Sequence, residues 1–226
     1  MRGLIIIPAF NEEKVIADTL DKLIACEGEW DIVVVNDGSK DRTEEIVVGK
    51  NIRCVSLLVN LGIGTAVQTG YKLARKEDYD WALQFDADGQ HQGDQIKPLL
   101  EAFTGEEACV IGSRYLTGDY QNTLFRRCGA FYFSLLLKIM GCSEVTDPSS
   151  GFRLCDRRAI ALFADNYPLD YPEVEARLML NRRSLKVKEI PITMAPRQGG
   201  VSSINRFGAL YYFAKVSLSM ILKGGR

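Results

Sequence analysis

Apolar and polar positions alternate along the first hundred residues in two rhythms. Residues 4–8, Leu-Ile-Ile-Ile-Pro, are a short continuous apolar run bounded by polar residues, the pattern of a strand covered on both faces. Over 12–26 the period lengthens, and Val15, Ile16, Leu20, Leu23 and Ile24 share one face of a predicted helix. The alternation repeats. Residues 31–35, 52–58, 81–85 and 109–111 read as strands, and 64–75 and 92–103 as helices. Asp41 is placed as the N-cap of a further helix, with Glu44 at the capping-box position. Strands separated by helix-length segments predict βαβ units and a mostly parallel sheet.

The second half is less regular. Residues 124–140 read as a helix, 151–154 as a short strand, 173–183 as a helix and 186–190 as a strand. A Gly/Ser/Pro-rich loop over 194–203 precedes a closing apolar helix over 205–222. No internal repeat, low-complexity tract or linker divides the chain, so residues 1–226 are expected to form a single α/β domain.

Composition narrows the class. The chain has 226 residues, 46% hydrophobic and 25% charged, which excludes disorder and fibrous structure. Its mean hydropathy of −0.05 is too low for a multi-span membrane protein. The net charge of −1 argues against a broadly basic nucleic-acid binder. The charge is uneven, with a net of −6 over residues 1–100 and +5 over 101–226. Solvated surface explains this, as does a second half that faces an anion or a membrane. Six cysteines without a Cys-x-x-Cys spacing, and the single His91, argue against a zinc site. Cys109, beside Val110 and Ile111, fits a reduced buried thiol in a cytoplasmic protein. The apolar run at 4–7 ends too early for a secretory signal. Residues 207–222, with Lys215 in their middle, would make a helix of about 24 Å against a hydrocarbon core of about 30 Å. That length fits a core or interfacial helix rather than a span.

Three predicted strand ends carry polar clusters, at 8–13, 36–41 and 86–90. Ligands of parallel α/β sheets bind beyond the carboxyl ends of the strands, so the clusters converge on one site. In Asp86-Ala87-Asp88, two carboxylates two residues apart can meet on one hard cation such as Mg²⁺ or Mn²⁺, with Gln90 adding a carbonyl oxygen or holding a water. A surface turn uses Asp equally freely. Neighbouring His91 reads as structural, as a support for the site, or as a ligand. Asp37, followed by Gly38, can hydrogen-bond a nucleoside base or ribose, or simply turn the chain. Gly62-Ile63-Gly64-Thr65 lacks the third glycine of a dinucleotide loop, where Val67 stands, and reads as a tight turn opening a helix.

Taken in order, Ile7-Pro8-Ala9-Phe10-Asn11-Glu12-Glu13, Val34-Val35-Asn36-Asp37-Gly38-Ser39-Lys40-Asp41, Asn60-Leu61-Gly62, Asp86-Ala87-Asp88-Gly89-Gln90-His91, Gly112-Ser113-Arg114-Tyr115 and Asp147-Pro148-Ser149-Ser150-Gly151-Phe152-Arg153 resemble the family-2 glycosyltransferases. The resemblance is nearest to the branch of dolichol-phosphate mannose synthases and other polyprenyl-phosphate glycosyltransferases. It implies a GT-A fold, Rossmann-like, with a nucleotide-sugar-binding half over 1–115 and an acceptor-binding half over 116–226. It implies that Pro8, Phe10, Glu12 and Asp37 surround the nucleoside of a UDP- or GDP-linked donor, and that Asp86, Asp88 and Gln90 hold Mg²⁺ or Mn²⁺. By the same resemblance, Arg114 and one of Arg126 and Arg127 face an acceptor phosphate, Arg197 reaches the donor diphosphate, and Asp147 lies near the reacting centre. The Gln-x-x-Arg-Trp signature of processive polysaccharide synthases is absent, as are the C-terminal membrane helices of many branch members.

The expected activity is metal-dependent, inverting sugar transfer to a polyprenyl phosphate, with Asp147, Asp88 and Arg114 as the catalytic set. The expected place is cytoplasmic, peripheral at the inner face of the membrane, with a separate integral-membrane subunit as a partner and no nucleic acid. If a saccharide hydroxyl is the acceptor instead, a general base is needed, and Asp147 is the candidate. A donor-binding scaffold subunit is the non-enzymatic alternative. A sugar-phosphate nucleotidyltransferase would need a Gly-rich basic loop where this chain has Pro8-Ala9-Phe10-Asn11-Glu12.

Overall fold

The computed structural model describes residues 1–226 except 27, 117–123, 144, 170–171, 196–212, 214 and 221–226, and leaves out the side chains of 124–126. The chain runs β1 (Gly3–Ala9), α1 (Ile16–Ile24), β2 (Trp30–Asn36), α2 (Thr43–Gly49), β3 (Arg53–Ser56), α3 (Ile63–Lys76) and β4 (Trp81–Gln84). A short 3₁₀ turn (Gly93–Gln95) leads into α4 (Ile96–Ala102), followed by β5 (Cys109–Ser113) and α5 (Leu124–Ile139). Then come β6 (Arg153–Asp156), α6 (Arg157–Asp165), α7 (Pro172–Arg182) and β7 (Val187–Pro191). Phe213 and residues 215–220 are helical, and the rest of the expected closing helix lies outside the described residues.

The seven strands form one sheet in the order β3-β2-β1-β4-β6-β5-β7. β1, β2, β3 and β4 pair in parallel, as do β5 and β7. β6 runs against both of its neighbours, β4 and β5. The apolar strands are continuous runs because the sheet is covered on both faces. Leu4, Ile6, Val33 and Val35 pack with Ala66, Val67 and Tyr71 of α3 and Ile160 and Phe163 of α6. Ile5, Ile7 and Val34 point the other way, against Ile16, Leu20 and Leu23 of α1 and Ile96 and Leu99 of α4. Odd and even positions of one strand therefore belong to different cores, as the two-residue period of a strand requires. Phe133 and Leu137 of α5, Val174 and Leu178 of α7, and Val216 and Met220 make a third, smaller cluster.

Some local expectations are corrected. α6 was not predicted, although Asp156 caps it by accepting from the Ala159 N–H at 2.9 Å and Ile160, Phe163 and Ala164 share its buried face. The short strand expected at 151–154 is β6, shifted to Arg153–Asp156. No capping box opens α2. Glu44 instead accepts from Asn36 Nδ2 at 3.3 Å, while Asp41 accepts from the backbone N–H groups of Thr43 and Glu13. α1 begins at Ile16 rather than Glu12, because the Glu12 carbonyl closes a turn by accepting from Val15 and Ile16. All six cysteines are free thiols.

Candidate active site

The sheet order reverses direction at β1, with β2 on one side and β4 on the other, the place where ligands of such sheets bind. The loops after β1 and β2 are tied together there. The Asp37 N–H donates to the Ala9 carbonyl at 2.8 Å, Asn11 N–H to Ser39 Oγ at 2.9 Å, and Lys40 N–H to Asn11 Oδ1 at 2.9 Å. Pro8 is buried, Glu12 half-buried, and the Phe10 ring is 42% exposed at the rim.

Asp37 is buried, and its two carboxylate oxygens each accept a backbone N–H at 2.8 Å, from Leu61 and Gly62. The glycine pair after β3 thus serves a turn and helix start. Gly62 holds a positive φ of 93°, and a Cβ at Gly64 would meet the Pro168 and Leu169 carbonyl oxygens at 2.2 and 2.4 Å.

Beyond β4, the Asp86 side chain is one-third exposed and is held from behind. His91 Nε2 lies 3.1 Å from Asp86 Oδ2, and Gln84 Nε2 is 3.4 Å from Oδ1. Burial pushes the Asp86 carboxyl up, but His91 and then Gln84 outweigh it and keep the group below the usual carboxylate range. His91 is buried and stacks on Phe152 at 4.7 Å. Its Nδ1 is buried without a hydrogen-bond partner among the described residues. Asp88 is buried, with Oδ1 accepting the Gln90 N–H at 3.1 Å.

Among the described residues no three His, Cys, Asp or Glu side chains gather into a metal cage. Asp86 and Asp88 are two carboxylates in one tight turn, oriented by neighbours. That donor set fits Mg²⁺ or Mn²⁺, which bind through one or two carboxylates and complete their shell with water and substrate phosphate.

A second cluster adjoins the first across β6. Arg114, just past β5, forks onto Asp147 with Nε to Oδ2 at 2.6 Å and Nη2 to Oδ1 at 2.7 Å, and Nη2 also reaches Ser149 Oγ at 2.7 Å. The Asp147 side chain has no exposed surface. Ser150 Oγ donates to the Gly112 carbonyl at 2.6 Å, and the buried Arg153 Nη2 donates to the Ser150 carbonyl at 2.6 Å. A Cβ at Gly151 would lie 2.8 Å from Gln84 Nε2 and 3.3 Å from Asp86 Oδ2, so this glycine lets the two clusters touch. The Gly-Ser-Arg-Tyr and Asp-Pro-Ser-Ser-Gly-Phe-Arg segments, far apart in sequence, are one structural unit.

Beside it, Tyr115, Val145 and Thr146 face Arg127, Ala130, Phe131 and Ser134 of α5 around a cavity of about 280 Å³. A larger cavity of about 470 Å³ lies between α6, α7 and residues 219–220 and holds none of the residues assigned to donor, metal or acceptor. Arg197 and the Arg126 side chain lie outside the described residues.

Glu189 of β7 was not foreseen. Its Oε2 accepts from the Thr146 N–H at 2.9 Å, the Asp147 N–H at 3.2 Å and the Thr146 hydroxyl. A glutamate in a partly exposed, lysine-flanked strand carries no local signal of such a role.

The family model described as glycosyl transferase family 2 matches residues 4–163. A Trichomonas vaginalis dolichyl-phosphate beta-glucosyltransferase is 33% identical over 211 residues, which cover 83% of this chain and 62% of that protein's own length. A Micrococcus luteus undecaprenyl-phosphate mannosyltransferase is 30% identical over 215 residues, 91% of this chain and 88% of its own. Among solved structures, glucosyl-3-phosphoglycerate synthase from Mycobacterium tuberculosis, in complex with Mn²⁺, UDP and glucosyl-3-phosphoglycerate, superposes with a TM-score of 0.72 at 18% identity, covering 98% of this chain and 79% of that one. The match runs through both motif clusters at the strand ends, and by it the chain belongs to glycosyltransferase family 2 and is a glycosyltransferase of GT-A fold.

Proposed function

We propose that the protein transfers a sugar from a nucleotide-sugar donor to a polyprenyl phosphate, in a single metal-dependent displacement that inverts the anomeric centre. The observation that carries the acceptor class is the state of Asp147. A saccharide hydroxyl needs a general base within reach of its proton. The Asp147 side chain has no exposed surface and both its oxygens accept from Arg114. An acceptor phosphate is already anionic and needs no base. The two relatives named above carry acceptors of this kind in their names.

In this reading residues 1–115 supply the donor site and residues 116–226 the acceptor site, except that Arg114 serves the acceptor and Arg197 the donor. Phe10, Glu12, Asp37 and Pro8 would surround the nucleoside, and Arg197 would reach the diphosphate. Asp86 and Asp88, with Gln90, would hold the divalent cation, whose chemistry is Lewis-acid stabilisation of the leaving diphosphate. Arg114 and one of Arg126 and Arg127 would present positive charge to the acceptor phosphate, and guanidinium suits this task because it stays charged and is planar. The attacking phosphate oxygen forms the bond to the anomeric carbon as the bond to the nucleoside diphosphate breaks.

The reading includes peripheral attachment at the inner face of a membrane, with a separate integral-membrane subunit as partner. Among the described residues no helix is long and apolar enough to cross a membrane. Phe131, Leu135 and Ile139 of α5 are 71%, 47% and 75% exposed at helical spacing, which supports contact with an apolar phase.

The test is a panel of UDP- and GDP-sugars with Mg²⁺ or Mn²⁺, with and without undecaprenyl or dolichyl phosphate, read by mass spectrometry of the lipid fraction. A glycosylated lipid phosphate is expected, lost in chelator and reduced at least about a hundredfold in Asp88→Asn, in line with the loss of a charge-stabilising group. Transfer to a water-soluble saccharide alone overturns the acceptor. Full activity of Asp88→Asn in chelator overturns the metal.

A further inference from the structure

Glu189 lies opposite Ile111 in the β5–β7 pairing, and its carboxylate reaches into the turn ahead of β6. Three donors converge on one of its oxygens: the Thr146 N–H, the Thr146 hydroxyl and the Asp147 N–H. The Thr146 hydroxyl is in turn 2.6 Å from Ser113 Oγ, at the end of the strand that leads into Arg114. The other carboxylate oxygen, Oε1, is buried with no hydrogen-bond partner among the described residues. Burial pushes this carboxyl up, and the donors from Thr146 and Asp147 oppose the push without cancelling it.

Holding a carboxylate there is costly, and nothing in the pairing of β5 with β7 calls for one. An apolar side chain at the same register would satisfy the sheet. What the carboxylate does accomplish is local. It accepts from the backbone N–H groups of Thr146 and Asp147, and the side chain of the same Asp147 receives Arg114. Thr146 is also part of the wall of the 280 Å³ cavity that Arg127 lines.

We propose that Glu189 is a positioning residue for the acceptor site: by clamping residues 146–147 it sets the direction of Asp147, and through Asp147 the plane of the Arg114 guanidinium. Its kinetic consequence rests on the acceptor reading given above. Its structural consequence does not.

Two measurements separate these. The first is ¹⁵N NMR of arginine side chains in the full chain, following solvent exchange of the Arg114 Nε–H. In the wild type that proton is donated to Asp147 at 2.6 Å and is expected to exchange slowly. In Glu189→Ala its exchange is expected to quicken at least about tenfold, and in Glu189→Gln, which keeps an accepting oxygen, by less. Arg114→Ala identifies the resonance. Unchanged exchange in a folded Glu189→Ala overturns the inference, whatever the acceptor proves to be.

The second is steady-state kinetics with undecaprenyl phosphate. Glu189→Ala is expected to raise the acceptor KM about tenfold and leave the donor KM within twofold, with Glu189→Gln partly rescuing. Because Glu189 acts through Arg114, the effects of Glu189→Ala and Arg114→Ala should not multiply in the double variant. Equal changes in both KM values, or multiplying effects, overturn the positioning role. If the wild type uses another acceptor, the acceptor reading fails, and the same split is measured with the acceptor it does use.

Discussion

Asp86 and Asp31 are both carboxylates held by neighbours, for different ends. The Asp86 side chain is one-third exposed, and His91 and Gln84 hold its two oxygens, as the proposed ligating role requires of a carboxylate kept in one rotamer. Asp31 is far from the site, at the start of β2, where it accepts from the Tyr79 hydroxyl at 2.7 Å and from Arg2 at 2.9 Å. The Tyr79 hydrogen bond, and then Arg2, hold the Asp31 carboxyl below its usual range, while burial and Asp31 push the Tyr79 phenol up to about 12. A depressed carboxyl contributes stability above its unfolded value, and that contribution is lost as pH falls through its folded value. Tyr79→Phe is therefore expected to return the Asp31 titration toward the ordinary carboxylate range and to flatten the acid limb of the stability curve. NMR titration of the Asp31 carboxyl carbon checks this, and an unmoved midpoint would contradict it. His91 illustrates what single residues conceal. Sequence left its role open, and the structure shows a buried ring stacked on Phe152 with one nitrogen on Asp86.

At the scale of elements, the β1-to-β4 half was largely legible because each strand and helix carries its own periodicity. The second half was not. α6 carries a weak local signal although Asp156 caps it, because two arginines open it and its apolar face is short. β6 carries no mark of its direction, which is decided by the partners it meets on either side. α3 shows how an element is seated by a missing side chain. Its first turn lies against the 168–169 backbone, and the Cβ of any other residue at Gly64 would overlap two carbonyl oxygens. Gly64→Ala is expected to destabilise the fold by about 2 kcal/mol or more, since backbone on both sides must move. Urea unfolding measures it. Gly49, whose Cβ would meet nothing within 4 Å, is the control, and Gly49→Ala should change stability by less than about 1 kcal/mol.

At the scale of the whole molecule, both sheet faces are filled, yet among the described residues Phe131, Leu135 and Ile139 of α5 are exposed on the side that carries Arg127 and the small cavity. If that face rests on a bilayer, as proposed, it responds to charge. Phe131→Glu with Ile139→Glu should reduce co-sedimentation with anionic phospholipid vesicles at least about tenfold, because each buried apolar side chain contributes about 1.5–3 kcal/mol. The double variant should keep the wild-type affinity for nucleoside diphosphate, read by calorimetry. Vesicle binding equal to the wild type would remove α5 from the membrane-facing surface.

The sequence by itself determined the alternation of strands and helices, the clustering of polar residues at three strand ends, and the paired carboxylates of Asp86 and Asp88. These are local properties, carried by period and by residues within a few positions of each other. Only the tertiary structure decided that β6 reverses, that Arg114 and Asp147 grip each other, that Asp37 spends both oxygens on the backbone of Leu61 and Gly62, and that Glu189 holds the turn at Thr146. Those contacts join residues 24 to 75 positions apart. No periodicity reaches that far, and a carboxylate in the sequence looks the same whether it will meet a cation, a guanidinium or a pair of backbone N–H groups. The choice among them is made when the strands find their order in the sheet.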